Sequence, residues 1–286
     1  MESAEILTTR RALLRRLLPA DRTDELDVRQ GQFHHVVIGA ERVVCFPRTE
    51  AAAGRLPLRA AVLRALAGLE LGFRTPEPLV ESGDESPFLV LSRVPGAPLP
   101  DGALEDPDVA EAVAAQYAAL LGALAGAGAD PVVRAALPQA PYDGWRRFAA
   151  GVRGELYGLM SDGGRRRAER ELTALDGLPH LTGAVVHGDL GAENVLWESA
   201  GGVPRLGGVV DWDEVTLGDP AEDLAAIGAG HGEDFLWRVR THAGPPDDGL
   251  TARIATIRGT FALQQALSAH RDGDVEERAD GLTDYR

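Results

Sequence analysis

Between Leu26 and Arg93 the chain is built of short β-patterned runs around one helical stretch, and at Val94-Pro95-Gly96-Ala97-Pro98 that pattern stops. The runs Leu26 to Gln30, Phe33 to Gly39 and Arg42 to Phe46 are separated by Gly31 and by Gly39-Ala40-Glu41, so they read as strands joined by tight turns. A helical stretch follows from about Thr49 to Ala67. Two further strand-like runs, Glu77 to Glu81 and Pro87 to Arg93, enclose a Gly83-Asp84-Glu85-Ser86 turn. An amphipathic helix from Ala4 to Leu18, stopped by Pro19, precedes them all. From residue 95 to Leu178 the sequence turns Ala- and Leu-rich with helical periodicity, and helices are expected near Asp108 to Ala125, Tyr142 to Leu159 and Arg165 to Leu175. Strands then return briefly at Val185-Val186-His187, Val195-Leu196-Trp197 and Val209-Val210-Asp211, with Ala200-Gly201-Gly202 as a hairpin turn, before a helical tail that includes a long helix from Thr251 to Arg271. This order predicts an α+β chain in two lobes: residues 1–94 with an antiparallel sheet and a helix, and residues 95–286 mainly helical.

Composition narrows the function classes. A formal charge of −15 repels nucleic acid and anionic membrane surfaces and favours a cationic small ligand. The single cysteine, Cys45, excludes an internal disulfide and a cysteine-based zinc site. No run is expected to supply the roughly 20 apolar residues of a membrane span, and no leader pattern is read at the start, so a soluble cytoplasmic protein without an obligate protein partner is expected. All 29 basic residues are arginine. Any step that ordinarily uses lysine must use arginine here.

Two segments carry chemistry: VVHGDLGAENVL at 185–196 and VVDWDEVTLGDPAEDLA at 209–225. Each is a valine pair running into a polar loop. Phosphoryl transfer needs a carboxylate to orient the acceptor hydroxyl and take its proton, and metal ions to neutralise the triphosphate. Asp189 at the end of one strand, Asn194 five residues later and Asp211 at the end of another supply one base and two oxygen ligands, a set that suits magnesium. The spacing from Asp189 to Asn194 repeats that of the protein-kinase catalytic loop H-R-D-x-x-x-x-N, with Gly188 in place of arginine.

The sequence resembles the aminoglycoside phosphotransferase and choline kinase superfamily. Its HGDxxxxN loop is matched by His187, Gly188, Asp189 and Asn194, and its metal segment by Val210, Asp211, Trp212, Gly218, Asp219, Pro220, Asp223, Leu224 and Ala225. The segments GQFHHVVIG, VVCFPRTEAAA, LGFRTPEPL, LVLSRVPGAPL and RGTFALQQAL look like the viomycin and capreomycin phosphotransferases. The resemblance implies a bilobal protein-kinase-like fold and ATP-dependent transfer to a seryl-type hydroxyl of a cationic cyclic-peptide antibiotic. It also implies that Asp189 is the general base, that Asn194 and Asp211 bind Mg2+, and that His187 is a structural member of the loop. Other acceptors, such as an aminoglycoside, a macrolide or a metabolite alcohol, belong to the same fold. A nucleotide-binding pseudokinase is the alternative from another class.

The first lobe departs from the superfamily pattern. A basic residue on the third strand normally holds the phosphates and pairs with a glutamate on the next helix; here Cys45 occupies the strand position, and Arg59 stands about where the glutamate is expected. That ion pair is expected to be missing, with Arg48 contacting phosphate instead. Gly31 and Gln32 stand where a glycine-rich loop would cover the phosphates, and the main chain at Ser92 to Val94 where adenine would bind. Asp219 is expected to cap a helix and brace the loop, and Asp223 to be structural. One of His34 and His35 is expected to pack and the other to face solvent, while Cys45, Trp197 and Trp212 read as core. Asp213 and Glu214 beside the metal segment, with Asp272 and Asp274 past the long helix, are the candidate contacts to substrate cations.

Overall fold

The computed structural model describes residues 3–31, 33–82, 86–199, 202–244 and 249–286. Gln32, most of the Gly83 to Ser86 turn, and Ala200 and Gly201 of the expected hairpin turn lie outside the described residues. In chain order the elements begin with helices α1 (Ser3–Thr9) and α2 (Arg11–Leu17), strands β1 (Asp27–Gln30), β2 (His34–Ile38) and β3 (Arg42–Pro47), helix α3 (Glu50–Ala67), and strands β4 (Pro78–Ser82) and β5 (Phe88–Ser92). Helices α4 (Pro107–Ala127), α5 (Pro131–Ala136), α6 (Gly144–Gly151) and α7 (Asp162–Asp176) follow, then strands β6 (Ala184–Val186), β7 (Val195–Ser199), β8 (Pro204–Val209) and β9 (Thr216–Gly218). The tail holds helices α8 (Ala221–His231), α9 (Glu233–Ala243), α10 (Leu250–Arg258), α11 (Phe261–Asp272) and α12 (Val275–Gly281).

These elements form two compact units. The first comprises residues 1–116, 130–137 and 193–214, and the second residues 117–129, 138–192 and 215–286. The sheet ends at Ser92, next to the expected boundary at residue 94, yet residues 95–116, helix α5 and the β7–β8 hairpin also belong to the first unit.

The first unit is organised by a five-stranded antiparallel sheet in the order β1-β2-β3-β5-β4. Its inner strands are covered on both faces, which is why β5 (Phe88, Leu89, Val90, Leu91) is an unbroken apolar run. On one face Ile6, Leu14, Leu17 and Leu18 pack with Val37, Val44, Phe46, Phe88 and Val90. The helix expected from Ala4 to Leu18 is in fact two, because the chain turns at Arg10, whose guanidinium lies 4.5 Å from the centre of the Phe46 ring. Helix α3 contributes the buried residues Leu56, Ala60, Leu63 and Leu66, and the Thr49 side chain caps its start by accepting from the Ala52 amide. The β7–β8 hairpin joins this unit through backbone: Arg74 bridges to Gly208, and Ala97 exchanges hydrogen bonds with Trp197. Gly208 allows that approach, since a Cβ there would sit 2.3 Å from the Arg74 carbonyl oxygen.

In the second unit β6 and β9 form a small antiparallel ladder, and the helices pack around Val152, Leu156, Leu172, Leu217, Leu263 and Tyr285. The 142–159 stretch is helical but irregular, passing from α6 through a π turn at Val152–Leu156 to a 3-10 turn at Tyr157–Leu159. The single helix expected over 251–271 is broken at Gly259-Thr260. There the buried Thr260 gives its hydroxyl to the Ile257 carbonyl and its own carbonyl accepts from the Gln264 amide, so a new helix starts. Contrary to the reading from sequence, one helix, α4, is long and apolar enough to cross a membrane by length and composition. Val113, Ala114, Tyr117, Leu120 and Leu124 recur along it at helical spacing and are buried, the pattern of a packing helix.

Candidate active site

The HGD loop lies in the second unit and is held from below by helix α8. The amides of His187 and Gly188 donate to the two carboxylate oxygens of Asp223 at 2.9 and 3.0 Å, and the Asp189 amide donates to His187 Nδ1 at 3.2 Å. His187 is fully buried, and Gly188 has φ +85°, a conformation glycine adopts without strain. These contacts leave Asp189 exposed at the tip of a rigid turn. Burial pushes the Asp223 carboxyl up from its ordinary value, against the opposing pull of His187 and the two amides. Asp219 caps the start of α8 by accepting from the Ala221 amide at 3.0 Å, and its other oxygen takes Arg253 Nε at 2.7 Å in a buried ion pair.

Beside Asp189 opens a pocket of about 220 Å3, lined by Gly188, Asp189, Trp145 of α6, Glu222 and Ala226 of α8, Ile257 of α10, and Phe261 and Gln264 of α11. It pairs two aromatic faces with two carboxylates. Burial, then repulsion from Asp223 and Asp219, pushes the Glu222 carboxyl up to about 7. None of Asp213, Glu214, Asp272 and Asp274 lines this pocket. Asp274 instead caps α12 by accepting from the Glu276 and Glu277 amides, and Asp272 and Glu214 are exposed. Sequence reading missed Trp145, Glu222, Phe261 and Gln264. The segment 258–267 was legible as characteristic, but which face of a helix lines a pocket is set by packing.

Asn194 and Asp211 belong to the first unit and are brought together at one end of the β7–β8 hairpin. The ladder pairs Val195 with Val209, and beyond it the Val210 amide donates to the Asn194 carbonyl at 2.9 Å. Asn194 is buried and Asp211 exposed. Among the described residues Asp211 is the only non-glycine residue with φ in the left-handed region, at +62°. Trp212 is core and donates its indole N–H to the Val209 carbonyl. The described residues contain no group of three or more His, Cys, Asp or Glu side chains that could hold a metal. Two side-chain oxygen donors suit Mg2+, which keeps several waters and takes its other ligands from phosphate.

The same unit brings Gly31 and Arg48 together, Arg48 Nη1 donating to the Gly31 carbonyl at 2.8 Å. At Ser92 both the amide and the hydroxyl are engaged with Glu77, and the Arg93 amide donates to Glu41, so of the expected adenine segment it is Val94 whose main chain lies outside these ladder contacts.

The ion pair expected to be missing is present in another form. Arg59 Nε lies 2.8 Å from Asp213 Oδ1, and Arg59 Nη1 is 3.1 Å from His34 Nδ1. With the guanidinium donating, His34 carries its proton on Nε2. Asp213 is therefore held inside the first unit. Burial opposes the charge on Arg59, but the neighbouring carboxylates of Asp213 and Asp211 favour it, and its pKa is raised. The same burial works to raise Asp213, and the Arg59 guanidinium pulls it back, leaving the carboxyl below its ordinary value. Burial pushes the Cys45 thiol up. Both His34 and His35 are buried, because the sheet is covered on two faces and neither direction of the alternation reaches solvent.

A chain with this architecture, a β-sheet unit that carries the VDW segment and a helical unit that carries the HGD segment, has the protein-kinase-like phosphotransferase fold. It belongs to the phosphotransferase enzyme family, whose model matches residues 24–263. It is 68% identical over 285 residues to viomycin phosphotransferase of Streptomyces vinaceus, covering 98% of this chain and 99% of that one. Among solved structures, the GDP complex of a point variant of aminoglycoside 2′-phosphotransferase-IIIa superposes with a TM-score of 0.82 at 18% identity, over 96% of this chain and 95% of the other. A streptomycin–ATP complex of the aminoglycoside phosphotransferase APH(2″)-IIa gives 0.73 at 16% identity, over 99% and 96%. At those identities the solved structures speak for the fold alone.

Proposed function

We propose that this enzyme transfers the γ-phosphoryl group of ATP to a seryl-type hydroxyl of a cationic cyclic-peptide antibiotic of the viomycin and capreomycin type, in the cytoplasm. The observation that carries the reading is the rigid presentation of Asp189 beside a pocket that combines aromatic faces with the Glu222 carboxylate. Such a pocket suits an acceptor bearing amine or guanidine groups. The 68% identity to a viomycin phosphotransferase over nearly the whole of both chains supports the same acceptor class.

In this reading Asp189 accepts the proton of the acceptor hydroxyl as its oxygen attacks in line. Asn194 and Asp211 would hold Mg2+, which supplies charge neutralisation at the β- and γ-phosphates. Gly31 and the Val94 main chain are the nucleotide contacts, and Arg48 fixes the Gly31 turn. His187 and Asp223 act on Asp189 by holding its backbone. The test is incubation with ATP, Mg2+ and viomycin or capreomycin, with ADP release and the mass of the antibiotic as readouts. One added phosphoryl group is expected. ADP release that is no faster with either antibiotic than without, or that appears only with an aminoglycoside or macrolide, would refute the acceptor assignment.

A further inference from the structure

We propose that Arg59, reaching from helix α3, is the phosphate-contacting cation of the nucleotide site, replacing the strand lysine of other kinases, and that Asp213 is the carboxylate that orients it. The inference rests on the phosphotransferase reading and adds to it the residue that holds the nucleotide's phosphates.

Kinases place a lysine on the third strand of the sheet and hold it with a glutamate from the following helix. In this chain β3 carries a neutral, buried Cys45 at that place, and the sequence holds no lysine at all. The charge has moved one element along. Arg59 sits on the following helix, with its guanidinium against the Cys45 side chain. Its partner carboxylate has moved too, to Asp213, two residues past Asp211. The cation thus stands on the helix and the strand is uncharged, with the anion supplied by the segment that follows β8.

Two features show that this cluster is incomplete as an internal salt bridge. The Arg59 to Asp213 approach is close, but the Nε–H does not point along it, and among the described residues Nε has no hydrogen-bond acceptor. His34 Nε2, on the far side of the same cluster, is likewise buried without a partner. Buried donors left unmade are unfavourable and are uncommon in native proteins unless a ligand completes them. Arg240 and Arg278 also bury an Nε without an acceptor among the described residues; Arg59 differs from them in lying against Cys45 and close to Asp211. Phosphate oxygens are the acceptors a guanidinium fork fits best, and Arg59 also lies close enough to Asp211 to feel its charge.

The test compares Arg59→Met, Arg59→Lys, Arg59→Glu and the double variant Cys45→Lys/Arg59→Glu, which restores the usual kinase arrangement. Affinity for MgADP and MgATP is measured by calorimetry without acceptor, steady-state constants are measured with viomycin, and thermal unfolding without nucleotide checks the fold. Arg59→Met is expected to weaken nucleotide binding by about tenfold or more, the scale of one lost charge-assisted contact, while the KM for the antibiotic stays within about twofold. Arg59→Lys should retain part of the affinity, and the double variant should bind nucleotide more tightly than Arg59→Glu alone. A folded Arg59→Met with wild-type nucleotide affinity overturns the proposal. So does a double variant no better than Arg59→Glu, which covers the case in which Arg59→Met does not fold. Because nucleotide binding is read without acceptor, a wrong antibiotic assignment appears separately, as wild-type enzyme that binds MgATP but leaves viomycin unmodified.

Discussion

Glu222→Gln tests the electrostatics of the pocket beside Asp189 directly. In the folded protein this carboxyl is pushed from an ordinary 4.5 to about 7, first by burial and then by Asp223 and Asp219. The folded state therefore binds the proton more tightly than the unfolded chain, and stability falls as pH rises through the window from 4.5 to about 7. Above the window the ionised group destabilises the fold by about 3 kcal/mol as an upper bound, and at about pH 5.5 by roughly 1.4 kcal/mol. Glutamine keeps the shape and removes the charge. Urea unfolding of both proteins at about pH 5.5 and about pH 8.5 should show the variant more stable at each, with an advantage larger by up to about 2 kcal/mol at the higher pH. Acceptor binding should respond in the opposite sense, since a cation in the pocket stabilises the carboxylate. Near pH 7 viomycin binding should release protons, seen as a dependence of the calorimetric heat on buffer ionisation, and the variant should bind more weakly without that release. An advantage of Glu222→Gln that does not grow with pH would show that the carboxylate is not under the strain the geometry implies.

Replacing Asp189 by Ala should reduce turnover by at least about a hundredfold, within the range for a lost general base, while MgATP affinity stays near wild type; near-normal turnover would remove Asp189 from that role. Arg253→Met leaves the Asp219 carboxylate buried without its cation, and a loss of about 3–5 kcal/mol in unfolding free energy is expected, whereas a loss under about 1 kcal/mol would mean that the ion pair is not holding α8. Gly164→Ala should be among the most damaging small substitutions, because a Cβ there would lie 1.8 Å from the Tyr285 carbonyl oxygen; thermal unfolding should drop sharply, and an unchanged melting point would show that the C-terminal turn does not sit against α7.

The order of strands, helix, strands and helices could be read from alternation and turn residues, and the HGD and VDW segments from side-chain chemistry at fixed spacing. What escaped was set by contacts distant in sequence. Strand β9 is three residues long, Thr216–Gly218, and exists because β6 offers it a ladder. His34 and His35 looked like one inward and one outward residue, which holds only for a sheet with one wet face. The break at Thr260 depends on a buried hydroxyl finding the Ile257 carbonyl, which no propensity anticipates. Arg59 is legible as a charge of the wrong sign on the helix, but its partner Asp213 lies in the other half of the sequence and reads there as an acid for substrate. Glu222 was simply a variable position between the fixed residues of GDPAEDLA.

The left-handed backbone at Asp211 constrains how its role can be dissected. Alanine at this position would change two things together, deleting the carboxylate and placing a residue that disfavours positive φ at a penalty of about 1–2 kcal/mol. Asparagine tolerates the same dihedral, and glycine adopts it freely. The informative pair is therefore Asn, which alters charge alone, and Gly, which removes every side-chain donor while leaving the peptide path intact. Few residues can occupy this corner, and of those only aspartate carries a full negative charge.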